Sequence, residues 1–146
     1  MMNIDDSILT SCLFFTSNRF ARSMTKMAED AFAKADLSPT YSYVLVVVQQ
    51  YPGITQKELC DKLSIAPSTS TRFIDKLEEK NLVERKSEWK ETHIFLTEEG
   101  KALYKELNQY FEQLYGQYAS ILGKEHSEQL TKLLHESSEM LKKGKL

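Results

Sequence analysis

Residues 55–80 read TQKELCDKLSIAPSTSTRFIDKLEEK, and the order of capping signals in this stretch decides the fold. Thr55, followed three positions later by Glu58, has capping-box spacing, in which hydroxyl and carboxylate each satisfy an orphan backbone donor at a helix start. A short helix to about Leu63 follows. Ser64-Ile65-Ala66 interrupts it, and Pro67 stands at a first helical position, where a missing N–H costs nothing. The second helix runs to about Lys80, with Ser70, Phe73, Ile74 and Leu77 on its inward stripe. Two helices joined by a tight turn form a helix-turn-helix candidate.

Downstream, Leu82 to Lys86 and Thr92 to Leu96 are short strand-like runs around Ser87-Glu88-Trp89-Lys90-Glu91, a hairpin with a five-residue tip. Helix, turn, helix, hairpin is the winged-helix order. Thr97-Glu98-Glu99 then offers an N-cap and two early acids suited to the helix dipole. The helix it starts carries Leu103, Leu107, Tyr110 or Phe111, Leu114, Tyr118 and Ile121 as its apolar stripe. Gly123 breaks it, and Leu130, Leu133, Leu134 and Leu141 mark a final amphipathic helix. Upstream, Pro52-Gly53 is a turn, and Ser38-Pro39 starts a helix through Tyr43-Val44-Leu45-Val46-Val47-Val48, although that β-branched run resembles a strand locally. From Ile8 to Ala35, Phe20, Met24, Met27, Ala31 and Ala35 recur at helical spacing, which predicts one long helix.

The fold class expected is mainly α with a small β-hairpin wing, a winged helix-turn-helix flanked by long helices. Residues 1–36 and 102–146 are expected to serve dimerisation and 37–101 DNA binding, within one integrated domain. The flanking helices offer more apolar stripe than the central residues cover, so a second copy is the expected partner in a homodimer.

A chain of 146 residues with 41% apolar and 27% charged side chains suits one globular unit with a real core. No apolar run approaches the roughly 18 residues of a membrane span, and the start Met1-Met2-Asn3-Ile4-Asp5-Asp6 is acidic. A cytoplasmic protein is the expectation. The net charge of -2 gives no whole-chain basic footprint, so any nucleic-acid site must be local. Around the helix from Pro67 to Lys80, Ser68, Arg72, Asp75, Lys76 and Glu79 lie opposite the apolar stripe, with Thr69 and Thr71 on its shoulders. Short polar side chains in the first turns let a helix approach base edges, where arginine reaches guanine and hydroxyls serve phosphate or base. The alternative for this face is plain solvation.

Leu37-Ser38-Pro39-Thr40, the run from Pro52 to Leu59, Leu63-Ser64-Ile65, Ser68 to Arg72, Asp75 to Glu78, Asn81 to Arg85 and Leu96-Thr97-Glu98-Glu99-Gly100 together resemble the MarR family of bacterial transcription regulators. The resemblance covers nearly the whole chain. It implies an obligate dimer with intertwined terminal helices and one winged domain per subunit. The function implied is sequence-specific binding of a pseudo-palindromic duplex by a ligand-responsive or constitutive regulator, with a repressor released by a small-molecule effector as the leading expectation and a small aromatic molecule as the candidate effector. The alternative is a dimeric winged-helix module that binds protein rather than DNA, which the charge would suit. DNA contacts are assigned to Pro67, Ser68, Thr69, Thr71, Arg72, Lys76, Trp89 and Lys90. The family commonly carries Asp-x-Arg in a longer wing, where Glu88-Trp89-Lys90 stands here; lysine lacks the planar fork of arginine. Trp89 either meets the DNA or, as the favoured expectation, covers the apolar side of its own hairpin.

Phe14, Phe15, Phe20, Tyr41 and Tyr43 lie where members of that family bind effectors, and they are a candidate pocket weighed against plain core. One branch of the family senses oxidants through a thiol whose position corresponds to Phe14, so Cys12, like Cys60, is expected to be a buried structural thiol. His93, His126 and His135 have no metal-ligand interval. The five glycines form no phosphate-cradling loop and no nucleophile turn is present, so neither catalysis nor a cofactor is expected.

Overall fold

Seven α-helices and three strands follow one another along the computed structural model, which describes residues 4–144. Met1, Met2 and Asn3 of the acidic start, and the final two residues, lie outside them. The chain divides into two compact units, Met1–Tyr110 and Phe111–Leu146.

The first unit begins with α1 (Ile8–Ser11) and α2 (Leu13–Ala31). The single helix expected from Ile8 to Ala35 is interrupted twice. Cys12 takes an extended backbone, φ -92° and ψ 119°, and the α-helix ends at Phe32, after which Ala33–Ala35 forms a 3₁₀ turn. The second break sinks the Phe32 ring into the core, where it is 1% exposed and meets Tyr110 at 5.6 Å between centroids. Asp36 then turns the chain with a left-handed φ of 51°.

The β-branched run is helical, within α3 (Pro39–Gln50). Its buried residues Ser42, Val44, Leu45 and Val48 repeat at three and four, so one face packs while Tyr43 stays exposed. Burial of that face outweighs the local strand preference, since each fully buried Val or Leu contributes about 1.5–3 kcal/mol. Ser38 holds the N-cap position, but its side chain makes no capping bond; Pro39 supplies the start.

The capping box forms as the spacing requires. Thr55 Oγ1 accepts from Glu58 N–H at 3.2 Å, and Glu58 Oε1 accepts from Thr55 N–H at 3.3 Å, opening α4 (Gln56–Leu63). Ser64, left-handed at φ 54°, turns the chain into α5 (Pro67–Glu79). Ser70, Ile74 and Leu77 are wholly buried along the stripe that spacing assigned, and Phe73 stacks edge-on against Tyr41 at 4.9 Å. Asn81, at φ 60°, closes α5. Its N–H donates to Glu78 O and that of Leu82 to Leu77 O, both at 2.9 Å, which is a Schellman closure.

Strand β1 (Ile54–Thr55) is not legible in the sequence; two residues are too few to show a period. It pairs with β3 (Glu91–Leu96), which pairs with β2 (Val83–Glu88), both antiparallel, in the order β1-β3-β2. The β2 and β3 ladder runs out to Glu88 opposite Glu91, so the tip is the two residues Trp89-Lys90 rather than five. Backbone pairing carries strands through Lys86, Ser87 and Glu88, which are exposed and so leave no apolar alternation to read.

Thr97 caps α6 (Glu98–Leu122), accepting from Gly100 N–H at 3.0 Å and donating to Asn81 O at 2.7 Å. In the second unit Gly123, at φ 90°, ends α6 and starts α7 (Lys124–Lys143). Tyr115 and Tyr118 meet edge to face there, and Ile121, Leu133, Leu134, Met140 and Leu141 are all exposed.

Candidate nucleic-acid interface

The outward face of α5 is open. Pro67, Ser68, Thr71, Arg72 and Lys76 are exposed and Thr69 is half-buried, so the residues singled out on this helix share one accessible surface. Ala66 at the N-cap has no side chain that could close the first turn, whose N–H groups therefore face outward uncapped. Among the described residues no carboxylate pairs with Arg72.

Carboxylates further along are held. Arg85 on β2 donates from Nη1 to Glu78 Oε1 at 2.7 Å and from Nη2 to Asp75 Oδ1, while its backbone N–H reaches Glu78 Oε2 at 3.3 Å. A strand residue thus engages two acids of α5 at once, offsetting one of their two charges, and ties the hairpin to that helix. Sequence reasoning misses this role, because Asp75 and Glu78 show a helical interval but nothing in the chain says that β2 returns to them.

A second set of bonds locks α4 to α5. Gln56 Nε2 donates to Ser70 Oγ at 3.0 Å and to Thr71 Oγ1 at 2.8 Å. Ser70 Oγ also donates to Pro67 O at 2.7 Å and lies 3.1 Å from Cys60 Sγ. The hydrogen-bonding capacity of the buried Ser70 hydroxyl is therefore in use. Glu58 at the start of α4 has its pKa held below the ordinary carboxylate value by the Thr55 hydroxyl and backbone N–H bonds.

At the hairpin tip Trp89 has a left-handed φ of 59° and is fully exposed. The expectation that its ring covers the apolar side of the hairpin is overturned: the two-residue turn projects it outward, and that side is covered instead by Lys86, whose Nζ lies 4.9 Å from the Phe95 ring centre. Lys90, beside Trp89, is exposed.

Of the candidate effector residues, only Tyr41 lines the open cleft of about 330 Å³ in the first unit. Phe32, Glu29, Asp36, Lys76 and Lys80 share it. Phe14 and Tyr43 are exposed, and Phe15 and Phe20 half-buried, outside its lining. Lys76, grouped by sequence with the DNA face, borders the cleft as well, and Lys80 reaches Asp36 O at 3.1 Å.

Cys60 is buried, as expected. Cys12 is half-buried rather than buried, because it sits in the break between α1 and α2. His93 Nδ1 lies 2.8 Å from Gly53 O, a structural bond that fixes the turn before β1 to β3. Among the described residues no group of His, Cys, Asp and Glu could hold a metal ion, and no helix is long and apolar enough to cross a membrane.

The MarR family model matches residues 37–88, the stretch from the start of α3 to the end of β2. An uncharacterised helix-turn-helix-type transcriptional regulator of Bacillus subtilis, YwoH, is 31% identical over 93 residues, 62% of this chain and 68% of that protein. The chain spans about two thirds, 66%, of the length of a similar uncharacterised regulator of Bacillus cereus, at 29% identity. The transcriptional repressor CouR bound to a 23-mer DNA duplex superposes with a TM-score of 0.83 at 19% identity, over 94% of this chain and 99% of that one. CouR bound to p-coumaroyl-CoA gives 0.84 at 20% identity, over 93% and 98%. These likenesses show the winged-helix fold along nearly the whole chain. The chain belongs to the MarR family, whose relatives here are transcriptional regulators.

Proposed function

We propose that this chain regulates transcription in the cytoplasm by binding a pseudo-palindromic duplex as a twofold dimer, and that it acts as a repressor released by a small molecule. Residues 37–101 form the DNA-binding region in this reading, with residues 1–36 and 102–146 as dimerisation arms. The observation that carries it is the open outer face of α5, where Ser68, Thr71 and Arg72 are exposed at an uncapped helix start while Asp75 and Glu78 are both bonded to Arg85. A helix entering a major groove needs small polar residues and a free guanidinium in its first turns, with carboxylates kept toward its far end, where the exposed Glu79 stands. Trp89 and Lys90 stand at the end of the hairpin, where the family resemblance puts the contact beside the major-groove site. The exposed side chains Leu9, Leu13 and Phe14, and Leu133, Leu134 and Leu141, supply apolar surface for a second copy. The cleft bordered by Tyr41, Lys76 and Lys80 offers a small molecule access to α5 itself.

The test is a salt titration of binding to a random duplex pool. Affinity should fall steeply and linearly in log-log form as phosphate neutralisation is reversed. Absent binding at low salt would instead favour a dimeric module that recognises protein.

A further inference from the structure

The bonds around Gln56 fix not only where Thr71 sits but what it can recognise. The Gln56 amide has two N–H donors, and the structure uses one on Ser70 Oγ and the other on Thr71 Oγ1. The single hydroxyl hydrogen of Thr71 is directed in turn at Pro67 O, 3.1 Å away, an oxygen shared with the Ser70 hydroxyl at 2.7 Å. A hydroxyl oxygen has two lone pairs; one takes the Gln56 N–H and one is left. Thr71 is exposed on the outer face of α5, beside Arg72, so that remaining lone pair is available to a ligand. We propose that Gln56 is a positioning residue that makes Thr71 a fixed hydrogen-bond acceptor, so that α5 selects, at one position in each half-site, a base offering an exocyclic amine.

The inference rests on the duplex-binding reading above and names a part of its specificity. In the major groove the bases with such donors are adenine through N6 and cytosine through N4, whereas guanine O6 and thymine O4 accept only. An acceptor-only Thr71 repels those two. Phosphate oxygens carry no hydrogen to give, so Thr71 is also excluded as a backbone anchor. A freely rotating hydroxyl would serve either kind of edge, and Ser68 on the same face is not held by Gln56 in this way.

The experiment selects fragments from a random duplex pool with the full chain, then measures competitive binding to single-base variants of the selected site at several salt concentrations. Thr71→Val removes the hydroxyl while keeping the shape. Gln56→Met keeps the length on α4 but gives no donor, so Thr71 Oγ1 is held by its Pro67 O bond alone and the side chain can leave that rotamer. Both variants should lose roughly three- to tenfold in discrimination at one and the same base position, the span of a single net hydrogen bond. Neither should change the slope of log affinity against log salt. The double variant should lose no more discrimination than Thr71→Val alone, since Gln56 acts only through Thr71. Circular dichroism melting of each variant separates misfolding from altered reading. If Gln56→Met keeps the discrimination that Thr71→Val loses, or if Thr71→Val lowers the salt slope, the proposal is overturned while duplex binding stands. If the wild-type chain selects no duplex, both readings fall together.

Discussion

Arg85 on β2 and Glu78 on α5 are joined twice, by a guanidinium N–H at 2.7 Å and by the Arg85 backbone N–H at 3.3 Å, and the same guanidinium holds Asp75. The carboxylates are 43% and 60% exposed, so solvent screens the attraction and the pair adds little to stability. Its effect lies in the charge presented to DNA.

Arg85→Ala should therefore leave the thermal midpoint nearly unchanged but weaken duplex binding on every sequence alike, because two carboxylates would face phosphate. Adding Asp75→Asn and Glu78→Gln to Arg85→Ala should restore much of the affinity. A variant that loses affinity but is not rescued by neutralising the acids would show that Arg85 acts by touching DNA itself.

Gly100 lies so near the Leu82 backbone, just before β2, that no side chain fits. A Cβ placed there would come 2.0 Å from Leu82 O and 3.0 Å from the carbonyl carbon, both backbone atoms. Gly100→Ala should force α6 away from the Leu82 carbonyl and destabilise the chain by about 1–3 kcal/mol or more, as overpacking does. Comparison of melting midpoints at equal protein concentration checks this, since dimerisation makes the midpoint concentration-dependent. An unchanged midpoint would mean that the start of α6 is free to shift.

Much of this architecture is legible because caps and spacing are local. Thr55 with Glu58, Pro67, Thr97 and Gly123 each mark a helix end within a few residues of themselves, and the stripe Ser70, Ile74 and Leu77 follows from the period alone. What stays hidden depends on distant partners. Strand β1 exists because β3 passes beside it; Arg85 finds its acids only when β2 folds back; and Gln56 meets Ser70 and Thr71 across a turn 14 and 15 residues away. The Trp89 orientation escapes the sequence for a related reason. The ring direction follows from a two-residue tip, and tip length is set by how far a ladder of exposed, polar residues continues.

The capping box carries a pH dependence whose sign follows from Glu58. Its pKa in the folded chain lies below the ordinary value because Thr55 hydrogen-bonds the carboxylate form. The unfolded chain then binds protons more readily, so this stabilisation is present above the unfolded glutamate pKa and is lost as pH falls through the folded one. Thr55→Ala should lower stability by about 0.5–2 kcal/mol at neutral pH, the usual cost of a lost N-cap. The gap from wild type should narrow on acidification below the folded pKa of Glu58. Denaturant melts of both chains across that range measure it, and a gap that widens in acid would contradict the assignment.

Dimerisation is best tested where the single chain has nothing to lose. Leu133 and Leu141 on α7 are 60% and 77% exposed, so replacing both with glutamate should not unsettle a lone chain. If a second copy covers them, each change removes about 1.5–3 kcal/mol of apolar burial and buries a charge as well. Sedimentation should show dissociation, and duplex affinity should fall with it. A double variant that remains dimeric and binds DNA as before would place the interface elsewhere.

Arg72 on α5 and Lys90 at the hairpin tip should fail in different ways, because a base edge carries sequence information and a phosphate does not. Arg72→Ala should cost about 1–3 kcal/mol on the preferred site and relax discrimination at one base position in each half-site, as removing a bidentate hydrogen bond to a base does. Lys90→Ala should weaken matched and mismatched duplexes alike, and should flatten the salt dependence by about one unit of slope for each phosphate that is no longer neutralised. Two copies act on one operator, so each loss is felt twice. Competitive binding of both variants to matched and single-base-mismatched duplexes at several salt concentrations separates the two patterns. If Lys90→Ala loses discrimination while Arg72→Ala keeps it, the hairpin reads the sequence and α5 only holds the backbone.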